Sequence, residues 1–415
     1  TVKVTVNNIL EKGEITGSQT ICEGDTPSGF TSVAGTVDGV LSYQWYSSLD
    51  GVNYSEMAGE TSELFTPVAL TQDTWYKRHV VSTMGLLVCD KETGTVKVTV
   101  NNFDPGSIAG EQTICMGMPA SMITSVAPIG DGIFSYAWYS STVSETDGFA
   151  PVLGAFSETY YPGAPTQDTW YYREVTSTLN GVTCVENTNV VKVTVNNMTA
   201  GAIGNDETMC SGTVPANITL TTAPYFDGGT PSYQWMISTD NFNFTNIPGA
   251  TGSSYQPPAL TQDTWYRLTV TSTLNGVVCS NVTNVTAKLV NNVSGGSIIS
   301  DQAICYGGDP VMFVSTLNGS GDGSISYRWE QSYDGTAGSF TEIAGTNSPV
   351  YDPPALDSDR YFRRVTISDL GGLVCEAVSN TVKVTVNTVL GGAIGTSQEI
   401  CFGEAPAPFT NTDPG

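Results

Sequence analysis

Positive charge is what this chain has least of. Its 415 residues include 15 lysines and arginines and one histidine against 40 aspartates and glutamates, a formal net charge of −25. So acidic a chain repels phosphate backbones and anionic membranes, which argues against nucleic-acid binding. No apolar run approaches the roughly 20 residues that span a bilayer, so no membrane insertion is expected within these residues. No signal-peptide pattern opens the chain. The lone histidine, His79, has no counterpart elsewhere and reads as a strand or surface residue. No Ser/His/Asp set, paired-carboxylate cleft or phosphate-binding glycine loop recurs, and the expectation is a protein that is not an enzyme. Helical periodicity is missing too.

What fills the chain instead is repetition. The stretch TQDTWYRLTVTSTLNGVVC (Thr261–Cys279) recurs at Thr71–Cys89 and Thr166–Cys184, and more loosely at Asp357–Cys375. In each copy an aspartate (Asp73, Asp168, Asp263, Asp359) stands sixteen positions before a cysteine. A β-hairpin demands such fixed spacing, because a one-residue slip turns every inward side chain outward. Boundaries after the recurring Asn-Asn pairs give repeats at 9–102, 103–197, 198–292 and 293–388. Residues 1–8 repeat the sequence of Thr95–Asn102 and are expected to be the last strand of a preceding repeat, and 389–415 the start of a following one. On this reading the chain is a stretch of a longer array.

Each repeat opens on a Gly-containing lead ending in cysteine, such as GSIAGEQTIC (Gly106–Cys115), followed by a Gly/Asp cluster such as Gly130-Asp131-Gly132. These clusters read as turns with positive φ. A short aromatic strand follows: SYQWY at Ser42–Tyr46, SYAWY at Ser135–Tyr139, SYQWM at Ser232–Met236 and SYRWE at Ser326–Glu330. The closing strand alternates, with Val96, Val98 and Val100 on one face and Thr95, Lys97 and Thr99 on the other. The third copy carries Lys288 where valine stands elsewhere, which predicts a bulge or an edge exit. Seven or so short strands, turns every 8–12 residues and a Cys…Trp…Cys order describe an all-β chain of tandem immunoglobulin-like β-sandwich domains. Short links predict an elongated, semi-rigid rod with about 35–45 Å per repeat.

Nine cysteines lie at 22, 89, 115, 184, 210, 279, 305, 375 and 401, with long gaps alternating with a constant short one. Two pairings fit. The preferred one closes the long gaps within repeats (Cys22–Cys89, Cys115–Cys184, Cys210–Cys279, Cys305–Cys375) and leaves Cys401 over; the other closes the short gaps between repeats, as in Cys89–Cys115. Either implies an oxidising, extracytoplasmic setting. Zinc is the rival reading, but no C-x-x-C pair is present. Trp45, Trp138, Trp235 and Trp329, one per repeat, are expected in the core beside a disulfide rather than on a sugar-stacking platform. Trp75, Trp170 and Trp265, with Tyr361 in the fourth repeat, suit packing at a domain end. Asp73, Asp168, Asp263 and Asp359 are expected to cap turns. No cofactor is expected; structural calcium is the alternative, resting on the Gly/Asp loops and the acidity.

The lead G-x-I-x-G-x-Q-T-I-C, the S-Y-x-W strand, the T-Q-D-T-W-Y segment and the closing V-K-V-T-V-N-N resemble the Ig-like or PKD-like repeats of very large Bacteroidetes cell-surface proteins, including flavobacterial gliding-motility adhesins. The resemblance implies export by the type IX secretion system and display on the bacterial surface. The function expected is a structural stalk of a long extracellular adhesin or surface filament, which displays a distal tip and bears load. Its partners would be neighbouring repeats of the same chain and, beyond them, other surface filaments or extracellular polysaccharide. The alternative makes the repeats themselves multivalent carbohydrate- or surface-binding modules.

Overall fold

The computed structural model describes residues 2, 8, 10–395 and 397–413, and no helix occurs among them. Most of residues 1–8, expected to form a preceding strand, lie outside the described residues. In the first repeat the strands are β1 (Glu14–Thr16), β2 (Gln19–Cys22), β3 (Thr31–Val33), β4 (Val40–Ser48), β5 (Ser55–Glu56), β6 (Thr74–Met84), β7 (Leu87–Glu92) and β8 (Val96–Asn101). The main sheet runs β2-β8-β6-β4-β5, with β7 also on β6. Its β2–β8 pairing is parallel and the others are antiparallel. A smaller layer, β1 paired with β3, covers the inner face.

The alternating pattern explains which face is inward. Along β8, Val96, Val98 and Val100 are buried and meet Ile15, Ile21, Phe30, Trp45, Phe65 and Tyr76. The same sheet recurs three times more, giving four immunoglobulin-like sandwiches in tandem. By backbone contacts the chain forms two compact units. The first runs to Asn197 and takes in Asp227–Gly229 and Thr273–Cys279; the second holds Met198–Phe226, Thr230–Ser272 and the chain from Ser280 onward.

β7 and β8 are one hairpin arm broken at Thr93. The Thr93 N–H donates to the Arg78 carbonyl at 2.9 Å while the Arg78 N–H donates to the Thr93 hydroxyl at 3.0 Å. A side chain thus stands in for a ladder bond at a bulge. Thr188, Thr283 and Ser379 do the same in the later repeats. The bulge expected at Lys288 is not there: Thr286–Asn291 keeps the common register, with Lys288 opposite Glu207 and Thr264. Its ammonium is fully buried and paired with Glu207 at 2.8 Å. Glutamate replaces the glutamine found at positions 19, 112 and 302, so the charge is matched and the strand need not bend.

The Gly/Asp clusters also differ from expectation. Of the glycines at 39, 130, 132, 228, 321 and 323, positive φ occurs at Gly228 alone. Gly132 is required by close approach, since a Cβ there would lie 2.0 Å from the Ser177 hydroxyl.

The preferred cysteine pairing is overturned. The structure links Cys22 to Cys184, Cys115 to Cys279 and Cys210 to Cys375, each with Cα atoms 5.6 Å apart, and leaves Cys89, Cys305 and Cys401 free. The parallel β2–β8 pairing supplies the reason. Cys22 lies level with Asn101, past the Thr74 end of β6, whereas Cys89 lies opposite Ser82 near its other end. About eleven residues of strand, roughly 35 Å, separate them, against the roughly 7 Å limit for a disulfide.

Candidate functional site at the seam between repeats

The residues that recur most faithfully meet where one repeat ends and the next begins. In the first compact unit, β8 delivers Asn101 into the hairpin of the second repeat, formed by Thr169–Leu179 and Val182–Asn187. The Asn101 amide donates to the Ser177 carbonyl at 3.0 Å and the Val182 carbonyl at 3.4 Å, and accepts from the Ser177 hydroxyl at 2.8 Å. Asn101 and Ser177 are both buried. A polar side chain withdrawn from water this completely must find its partners in the protein, and here it finds three.

Asn291 repeats the arrangement in the second unit. It donates to the Ser368 carbonyl at 3.0 Å and the Leu373 carbonyl at 3.1 Å, and accepts from the Ser368 hydroxyl at 2.7 Å. Asn196 donates to the Val277 carbonyl at 3.2 Å. Asn8 occupies the equivalent socket of the first repeat, donating to Ser82 and Leu87 carbonyls at 2.9 and 3.3 Å.

Covalent and apolar contacts flank the asparagine. Cys22, at the end of β2, reaches Cys184 on the second repeat's hairpin arm. Around it Phe103, Val175, Phe134, Tyr136 and Val182 close an apolar cluster. The link is itself ordered: Phe103–Asp104 pairs antiparallel with Ile129–Gly130. At the hairpin turn Asn180 holds φ 49°, and its amide donates to the Thr20 hydroxyl at 3.1 Å. Asn275 makes the same bond to Thr113 at 3.0 Å, beside a groove of about 350 Å³ lined by Glu111, Gln112, Lys192 and Thr194. In the fourth repeat Gly371 takes the asparagine's place and supplies no side chain.

Trp45, Trp138, Trp235 and Trp329 are fully buried, and each indole N–H donates to a carbonyl: Ser62, Ser157, Gly252 or Ser348, at 2.8–3.0 Å. No disulfide lies beside them. Aromatic rings take that place, with Phe30 and Phe65 centred 5.8 and 5.3 Å from Trp45. Sequence reasoning missed the buried arginines Arg78, Arg173 and Arg364. Arg173 donates to the Glu158 and Pro105 carbonyls at 2.9 and 2.8 Å and lies over Tyr136. Burial lowers the pKa of all three.

Asp73, Asp168, Asp263 and Asp359 do not bond the turns they sit in. Each accepts a backbone N–H from the closing strand at 2.8 Å, from Val100, Val195, Val290 and Val386. The carboxylate completes the ladder where β6 runs out. Its second oxygen pairs with Lys97, Lys192 or Lys383 at 2.6–2.9 Å. Those lysines cover the outward rings of Trp75, Trp170 and Tyr361 at 4.6, 4.7 and 5.7 Å. His79 packs against Tyr46, the two tilted rings centred 4.5 Å apart, and is paired with Glu92.

Among solved structures, the chain is similar to three N-terminal domains of the bacteriophage RB49 outer capsid protein Hoc, at 15% identity and a TM-score of 0.31 over 70% of this chain and 100% of that one. It is also similar to titin I-band fragment I67–I69, at 10% identity and 0.38 over 70% and 98%. With Sidekick-1 immunoglobulin domains 1–5 the identity is 12% and the TM-score 0.24, over 94% and 80%. No curated protein matches in sequence. One family profile, described as a domain of unknown function (DUF8696), matches residues 11–102, 104–197, 199–289 and 294–388. The chain therefore belongs to that family, with four successive matches to its domain.

Proposed function

We propose that these repeats form the structural, load-bearing stalk of an extracellular adhesin or surface filament and are not catalytic. The observation that carries this reading is the direction of the disulfides: each spends its crosslink on holding one repeat to the next. Tandem Ig-like repeats joined by three disulfides suit an extracytoplasmic setting. Display on a bacterial surface, export by type IX secretion and a part in gliding motility extend the proposal along the family resemblance. Antibody to the repeats should label intact producing cells, and deleting two repeats should weaken adhesion under flow while the purified repeats bind no surface by themselves. Label confined to permeabilised cells would sink the reading.

The second reading, multivalent carbohydrate binding, draws on the outward rings of Trp75, Trp170, Trp265 and Tyr361, which recur on one face of each sheet. Lysines lie over three of them, leaving less ring face for a sugar. Binding of the oxidised chain to a glycan array would favour this reading.

A further inference from the structure

We infer that the disulfides give the oxidised chain two interleaved covalent threads for tension, each of which leaves the long segment of every repeat, with its core tryptophan, outside its path. The inference rests on the load-bearing role proposed above. The first thread enters at Cys22, crosses to Cys184, follows the chain to Cys210 and crosses to Cys375. The second follows the chain from Cys89 to Cys115, crosses to Cys279 and continues to Cys305. Each disulfide spans 162 to 165 residues, so the long segments between its ends carry no load while the bond holds.

Spacing in the sequence separates the two kinds of segment. The stretches that a thread follows, Cys89–Cys115, Cys184–Cys210 and Cys279–Cys305, have the same length, 26 positions. The stretches that lie in neither thread, Cys22–Cys89, Cys115–Cys184, Cys210–Cys279 and Cys305–Cys375, run to 67, 69, 69 and 70. Loops outside the load path are free to vary in length; a strut that must fit between two fixed attachment points is not.

The contents differ in the same way. The 26-residue struts hold the closing strand, the buried asparagine, the ordered link and the lead strand of the next repeat: Asn101 and Phe103 in the first, Asn196 and Met198 in the second, Asn291 and Val293 in the third. The four core tryptophans and the buried arginines all lie in the slack segments. A repeat can therefore unravel its long segment under load without adding those residues to the covalent path.

Force spectroscopy on the full chain, held by its two ends with the thiols of Cys89, Cys305 and Cys401 alkylated, tests this. At forces that unfold the repeats, about 90 residues of covalent path separate the ends of the oxidised chain, so it should stop extending at about 300 Å. After reduction it should reach about 1,450 Å. Replacing Cys22→Ser and Cys184→Ser opens the first thread, and the stop should move to about 780 Å. An oxidised chain that stops near 490 Å, the length that disulfides within repeats would give, overturns the inference, as does one that reaches the reduced length. These lengths depend on connectivity alone, so they stand or fall separately from any failure of the repeats to act in adhesion.

Discussion

At the seam the repeats are nearly interchangeable; in the interior the third repeat goes its own way. Asn101, Asn196 and Asn291 occupy the same place, as do the serines at 82, 177, 272 and 368 and the paired cysteines. In the interior, Leu268 replaces the arginine of the other three repeats, Lys288 replaces a valine, and Glu207 replaces a glutamine. The buried cation has moved across the core, from a site over a tyrosine to a site against a carboxylate, while the sheet register stays the same. A closed core accepts any set of side chains that fill it and satisfy their charges. A seam must match a surface on the neighbouring repeat, so a change on one side strands the group on the other.

Breaking the comparison at its strongest point means removing a seam disulfide. Cys22→Ser with Cys184→Ser should destabilise the oxidised protein by about 5 kcal/mol in the chain-entropy model, because the closed loop is long. Denaturant unfolding should show the loss, and hydrogen exchange should place it in both the first and second repeats. Loss confined to one repeat would mean that the bond staples nothing across the seam.

The interior gives the next largest effect. Glu207→Ala leaves the Lys288 ammonium buried with only the Asn205 carbonyl, at a cost of about 3 kcal/mol. Installing the first repeat's pair, Lys288→Val with Glu207→Gln, should restore stability to within about 1 kcal/mol of the parent. A double variant as unstable as Glu207→Ala would show that the interior is no more tolerant than the seam.

Asn101→Ala should cost about 2 kcal/mol, since the Ser177 hydroxyl and the Ser177 and Val182 carbonyls lose their partner in a buried place. The smallest effect belongs to an exposed turn. The Ser339 hydroxyl, then the Thr336 N–H, hold the Asp334 carboxyl down at about 2. A folded-state pKa below the unfolded one stabilises above the unfolded value, near about 3.9, and that contribution fades as pH falls through the folded value. Asp334→Asn should flatten the stability profile between about pH 4 and pH 2. Unchanged slopes would mean that the turn contributes nothing.

Local pattern was enough to read the sandwich. The Val96-Val98-Val100 alternation, the spacing from Asp73 to Cys89 and the single Trp45 per repeat each depend on neighbours along the strand, and sequence displays those directly. The seam was hidden because it depends on which strands lie side by side. Nothing in QTIC announces that β2 runs parallel to β8 and so carries Cys22 away from Cys89. Asn101 was visible as half of a recurring Asn-Asn pair, yet it read as punctuation between repeats. The unvarying serine inside Thr/Val-rich strands was the signal that could have exposed its partner. Lys288 suggests a bulge or an edge exit because its matching change, Glu207, lies 81 residues away.

The most direct test of the stapling is a single protease site placed in the link between the second and third repeats, near Thr199. The folded, oxidised protein is cut there and run denatured without reductant. If the disulfides join successive repeats, the two halves stay together through Cys115–Cys279 and migrate as one band that separates only after reduction. Two bands without reductant would contradict the account.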